Sequence, residues 1–160
     1  MPAVSVISKT DLARKTRQVV DRVRRGQTII VESYGEEQVA ILDILDYHIL
    51  RAVAAYRQQP PRPAPIRDET LAPAGLTPEA VSEAVRAASG DVQAAWDLVI
   101  VTYLDGNISL GRAAQLLDLT RYELTERLNR LGVPLHLGPS TVEEAQAEAE
   151  TLARWTRSEA

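Results

Sequence analysis

The residues with the most chemical potential in this chain are its cations. It has 18 Lys and Arg against 22 Asp and Glu, and Lys9 and Lys15 are the only lysines. Their placement is uneven. Lys9, Arg14, Lys15, Arg17, Arg22, Arg24 and Arg25 crowd into one stretch, opposed by Asp11 and Asp21. That stretch carries +5 in a molecule of net charge −4, so the remainder sums to −9. Such asymmetry is the footprint of a surface for a polyanion, most commonly phosphate backbone. The plain alternative is a solvated helix face. A second group runs from Ser109 to Leu131, where a short helix, a tight turn and a second helix form a helix-turn-helix pattern. In that pattern the second helix enters the major groove by its N-terminal side chains. Arg121, Tyr122, Thr125 and Asn129 are the candidates for base edges, and Arg112 and Arg130 for phosphates. Four arginines meet three acids in this segment, a net of +1. A helical hairpin that touches no DNA is therefore the alternative here.

Other chemistries find little support. There is no Cys, which removes thiol nucleophiles and thiolate metal sites. His48 and His136 have no metal-ligand partner three or four residues away. His48 reads as a helix-surface residue, His136 as part of an extended segment, and Trp96 and Trp155 as core or interface residues. No Gly-rich phosphate loop or paired-carboxylate site is present. The expectation is a protein without enzymatic activity, cofactor or metal. No apolar run is long enough to span a membrane, and the first residues lack the blocks of a signal peptide. A cytoplasmic protein without membrane contact is expected.

The elements that must position these residues follow from capping and periodicity. Val4–Val6 alternates like a half-buried strand. Ser8 and Asp11 fit a capping box that opens a helix running to Arg25, with Leu12, Thr16, Val19, Val20 and Val23 on one face and Gly26 as its stop. Thr28–Glu32 and Gln38–Ile44 read as two arms of a hairpin around Ser33–Glu36. A helix over Asp46–Arg57 completes a β-α-β-β-α unit of residues 1–57. Its small sheet buries little alone, which predicts a homodimer through this unit. Residues 58–76 form a Pro-rich linker. Residues 77–160 read as all helix. Thr77 caps a helix with Pro78 at its first position. The helix after Asp91 is apolar around nearly its whole circumference and predicts the buried centre. Ser109 and Thr120 cap the two helices of the helix-turn-helix (109–131), and Thr141 caps a last one over Val142–Thr156. The fold class is α+β: a small dimerisation unit, a linker, and an all-α domain.

The stretch VISKTDLARKTRQVVDRVRRGQTIIVESYGEEQVAILDILDYHIL resembles the Phd/YefM antitoxin family in its order of strand, helix, Gly, strand, Gly turn, second arm and tyrosine-bearing helix. That resemblance implies a dimer that binds its own operator DNA and neutralises a partner toxin, with a DNA face around Lys9, Arg14 and their neighbours. The chain departs from the family at Ala13, where an Arg is common, and at Ser33 and Tyr34, where a basic residue often follows the strand. The stretch YLDGNISLGRAAQLLDLTRYELTERLNRLGVPLHLGPSTVEEAQAEAETL is similar to an uncharacterised family of short, antitoxin-like helix-turn-helix proteins. That similarity implies a cognate toxin, with a PIN-domain nuclease as the expected kind. The resulting expectation is a type II antitoxin that represses its own operator. The alternative is a protein-interaction and dimerisation module with no DNA role.

Overall fold

A computed structural model describes residues 4–60 and 76–135. The chain order is β1 (Val4–Ser8), α1 (Lys9–Arg14), α2 (Thr16–Arg24), β2 (Thr28–Ser33), β3 (Glu36–Ile41), α3 (Ile44–Gln58), α4 (Pro78–Ala87), α5 (Gln93–Leu104), α6 (Leu110–Leu116) and α7 (Arg121–Arg130). Most of the linker, His136, Trp155 and the Thr141-capped helix lie outside the described residues.

The N-terminal part is a mixed sheet in the order β1-β2-β3. β1 and β2 are parallel, joined by the helical crossover, and β2 and β3 are an antiparallel hairpin. The turn places Tyr34 and Gly35 both at positive φ, 55° and 80°. That is the twist a two-residue hairpin needs to continue the strands. Ile29 and Val31 point to the helices, where Val19 and Val23 are buried with Ile29. The other face of the sheet, which holds Val4 and Val6 beside Ile30, leaves Val4 56% and Val6 50% exposed.

The single helix expected over residues 9–25 is two. It breaks at Lys15, whose φ of −122° and ψ of 26° end α1. The Thr16 hydroxyl donates to the Leu12 carbonyl at 2.7 Å, competing with the backbone ladder at the break. Ser8 caps α1 as expected, accepting from the Asp11 amide at 3.1 Å. Val20, expected on the packed face, is 46% exposed.

The helical part centres on α5, as its all-round apolarity predicts. Trp96, Val99, Ile100, Val101 and Tyr103 are buried there. Ala113 and Ala114 of α6 and Leu124 and Leu128 of α7 close on the same core. The fold departs from the sequence reading at α3. This helix was expected to complete the N-terminal unit, yet its Ile49 and Ala52 are fully buried in the core of α5, α6 and α7. His48, expected at the surface, stacks on Trp96 with ring centroids 5.5 Å apart. The buried Gln93 links the two helices, donating to the His48 carbonyl at 3.1 Å and to Asp97 at 2.7 Å. No helix of the described residues is long and apolar enough to cross a membrane.

Candidate nucleic-acid interface

The α6-turn-α7 unit is built by local signals. Ser109 caps α6, accepting from the Arg112 amide at 3.1 Å. The turn uses Asp118 at φ 56°, a conformation that Asp tolerates better than most residues. Thr120 and Glu123 form a full capping box: the Thr120 hydroxyl accepts from the Glu123 amide, and the Glu123 carboxylate accepts from the Thr120 amide at 2.9 Å. The Thr120 amide and then its hydroxyl hold the Glu123 carboxyl below its ordinary value of 4.5. Leu124 and Leu128 pin α7 to the core, so its opposite side faces out. Tyr122 is 73% exposed, and Arg121 and Asn129 are exposed beside it. Thr125 is half-buried, and its hydroxyl donates to the Arg121 carbonyl at 2.8 Å. Of the four expected base-edge residues, Tyr122 and Asn129 lie on the outer side of α7, Arg121 is exposed at its first turn, and Thr125 sits at the edge of the packed side.

The two arginines expected to reach phosphates do not face outward freely. Arg112 donates through Nε and Nη2 to the Leu76 carbonyl, at 3.2 and 3.0 Å, and through Nη1 to Gln115 at 2.8 Å. Arg130 donates through Nε and Nη2 to Asp46, at 3.1 and 2.8 Å on Oδ2 and 2.9 Å on Oδ1. Arg127 reaches both Asp43 Oδ1 at 2.7 Å and Asp46 Oδ1 at 2.6 Å. The side chains of Asp46 and Arg130 are only 6% and 19% exposed. This is a desolvated, forked ion-pair network, whose geometry is much more fixed than that of a surface pair. Its carboxylates come from the start of α3, where Asp43 also caps the helix by accepting from the Leu45 amide at 3.0 Å. Arg130, expected at a phosphate, is engaged by Asp46 within the chain.

Asp43, Asp46 and Arg127 did not emerge from the sequence as a group. Their one signal is spacing. Two acids three residues apart near the start of α3 match two arginines three residues apart near the end of α7.

The basic stretch behaves differently. Lys9, Arg14, Arg17, Arg24 and Arg25 are exposed, and none forms an ion pair with a described residue. Val19 and Val23 turn inward, which sets Arg17 and Arg24, two helical turns apart, in line on the outer side of α2. Lys15 pairs with Asp11 at 3.3 Å across an open surface. Arg22 is half-buried and donates to Gln27 at 2.7 Å. No group of three or more His, Asp or Glu placed to hold a metal exists among the described residues.

Known proteins bear on the half that contains α7. Residues 76–154 match the model of UPF0175, an uncharacterised protein family. A stretch of 39 residues is 49% identical to a UPF0175 protein of Archaeoglobus fulgidus, covering 24% of this chain and 42% of that relative. The chain thus spans less than half the length of the curated relative it matches. No solved structure matches the chain. The matched segment contains α4 to α7, and hence both arginines of the buried network and the outer side of α7.

Proposed function

We propose that this protein is a DNA-binding, antitoxin-type repressor. One observation carries the reading: Arg14, Arg17, Arg24 and Arg25 stand exposed and in no ion pair with a described residue, in a chain that is acidic as a whole. Arg17 and Arg24, in line on the outer side of α2 with Asp21 between them, and Arg14 and Arg25 at the neighbouring helix ends are suited to phosphate backbone. The outer side of α7 adds Tyr122 and Asn129, with asparagine suited to adenine edges. The resemblance of the first 57 residues to Phd/YefM antitoxins and the UPF0175 match of residues 76–154 both favour a toxin-antitoxin role. In that role the protein dimerises through its N-terminal unit and neutralises a cognate toxin, with a PIN-domain nuclease as the expected kind. The exposed Val4 and Val6 face of the sheet supplies the apolar surface for such a dimer.

A gel shift with the chain's own upstream DNA tests this. A sequence-selective band that weakens steeply with salt is expected. Arg17→Ala with Arg24→Ala should weaken binding to all sequences and reduce the salt slope by roughly two. Absence of a salt-sensitive band at micromolar protein removes the DNA role. A protein-interaction module is the second reading. It is favoured by the outer side of α7, where Arg121 stands against Glu123 and Glu126. A stoichiometric partner protein without DNA affinity supports it.

A further inference from the structure

With Arg127 and Arg130 held by Asp43 and Asp46, the outer charge of α7 is one arginine against two glutamates. A helix with that balance draws little attraction from a phosphate backbone. The missing positive field stands close by. The Arg130 guanidinium lies against Gly26, so closely that a Cβ there would fall 2.8 Å from its Cζ. Arg24 and Arg25 immediately precede that glycine. Consecutive Cα atoms are about 3.8 Å apart and a ten-residue helix is about 15 Å long. With the length of the Arg130 side chain included, the path from Arg24 through Arg130 to Arg121 is therefore comparable to one duplex turn of about 34 Å.

We infer that α2 and α7 form a single DNA-reading surface, and that Asp43 and Asp46 are positioning residues that lock it together through Arg127 and Arg130. In this surface α7 enters the major groove and the arginines of α2 hold the phosphates at its edge. Leu42 and Asp43 link β3 to α3 along the chain, and the Arg130 contact at Gly26 is a second tie, between the end of α2 and α7. The inference rests on the DNA-binding reading and goes beyond it by assigning Arg130 to geometry rather than to phosphate.

The two roles of Arg130 predict opposite signs. Asp46→Asn removes an acid and releases a guanidinium, so a phosphate-binding Arg130 would bind DNA more tightly in this variant. A positioning role predicts binding weaker by about tenfold or more, because two fixed contacts become separately tethered ones. A second variant inserts two glycines after Leu42, leaving the ion pairs intact while freeing the sheet unit. It should weaken binding to a similar extent, with the fold of each variant checked by circular dichroism. A hydroxyl-radical footprint of the full chain needs neither variant. Arg24→Ala and Asn129→Ala should lose protection at adjacent positions within one duplex turn. Protection lost on different turns, tighter binding by Asp46→Asn, or two folded variants that bind like the parent overturns the single surface while leaving the DNA reading intact. A parent chain with no DNA affinity ends both.

Discussion

A side chain at Gly26 meets two obstacles at once. Its φ of +91° lies where L residues are strained, and the space a Cβ would take is filled by Arg130. Gly26→Ala should cost at least about 1–2 kcal/mol from the backbone alone, read as a shift in the urea midpoint; an unchanged midpoint would mean that Gly26 does not hold this positive φ. The sequence identified Gly26 only as a helix stop. Its second role depends on a residue more than a hundred positions away, which no local pattern encodes. Glu123 shows the reverse case, since its partner is three residues off and the capping box was legible directly. Its carboxyl is held below 4.5 by the Thr120 amide and hydroxyl. A carboxyl with a lowered folded-state pKa stabilises above its ordinary value, and that contribution fades as pH falls through the lowered one. The melting-temperature difference between the parent and Glu123→Gln should be largest near neutrality and shrink below pH 4.5.

Elements whose ends are set by capping residues were the readable ones. Ser8, Thr77, Ser109 and Thr120 each accept from an amide of the helix they open. Thr120→Ala should cost about 1 kcal/mol in chemical denaturation, the usual price of a lost N-cap. The break at Lys15 and the inward packing of α3 were not readable. The first depends on a hydroxyl competing for one carbonyl. The second depends on which of two apolar surfaces offers more burial, which helical periodicity does not specify. The hairpin turn offers a gain rather than a loss. Tyr34 sits at φ 55° and is fully exposed, so no packing compensates its strain. Tyr34→Asn should raise stability by a few tenths to about 1 kcal/mol. A lower melting point for that variant would show that the ring has a partner in solution.

For the whole molecule, α3 decides what counts as a unit. Ile49 is fully buried among the C-terminal helices, and truncating such a side chain costs about 2–5 kcal/mol. Ile49→Ala should therefore lower the unfolding transition of the helical half, read by the fluorescence of Trp96, although the substitution lies on the far side of the linker. If only the sheet unit loosens, α3 belongs with the strands after all. The pairing of Asp43 and Asp46 with Arg127 and Arg130 also limits how such a chain can be recombined. Graft the helical half onto a foreign N-terminal unit without those two aspartates, and a pair of stranded guanidinium groups is left in a pocket that water scarcely enters. The fusion is thus a matched set, whose halves must be inherited or exchanged together.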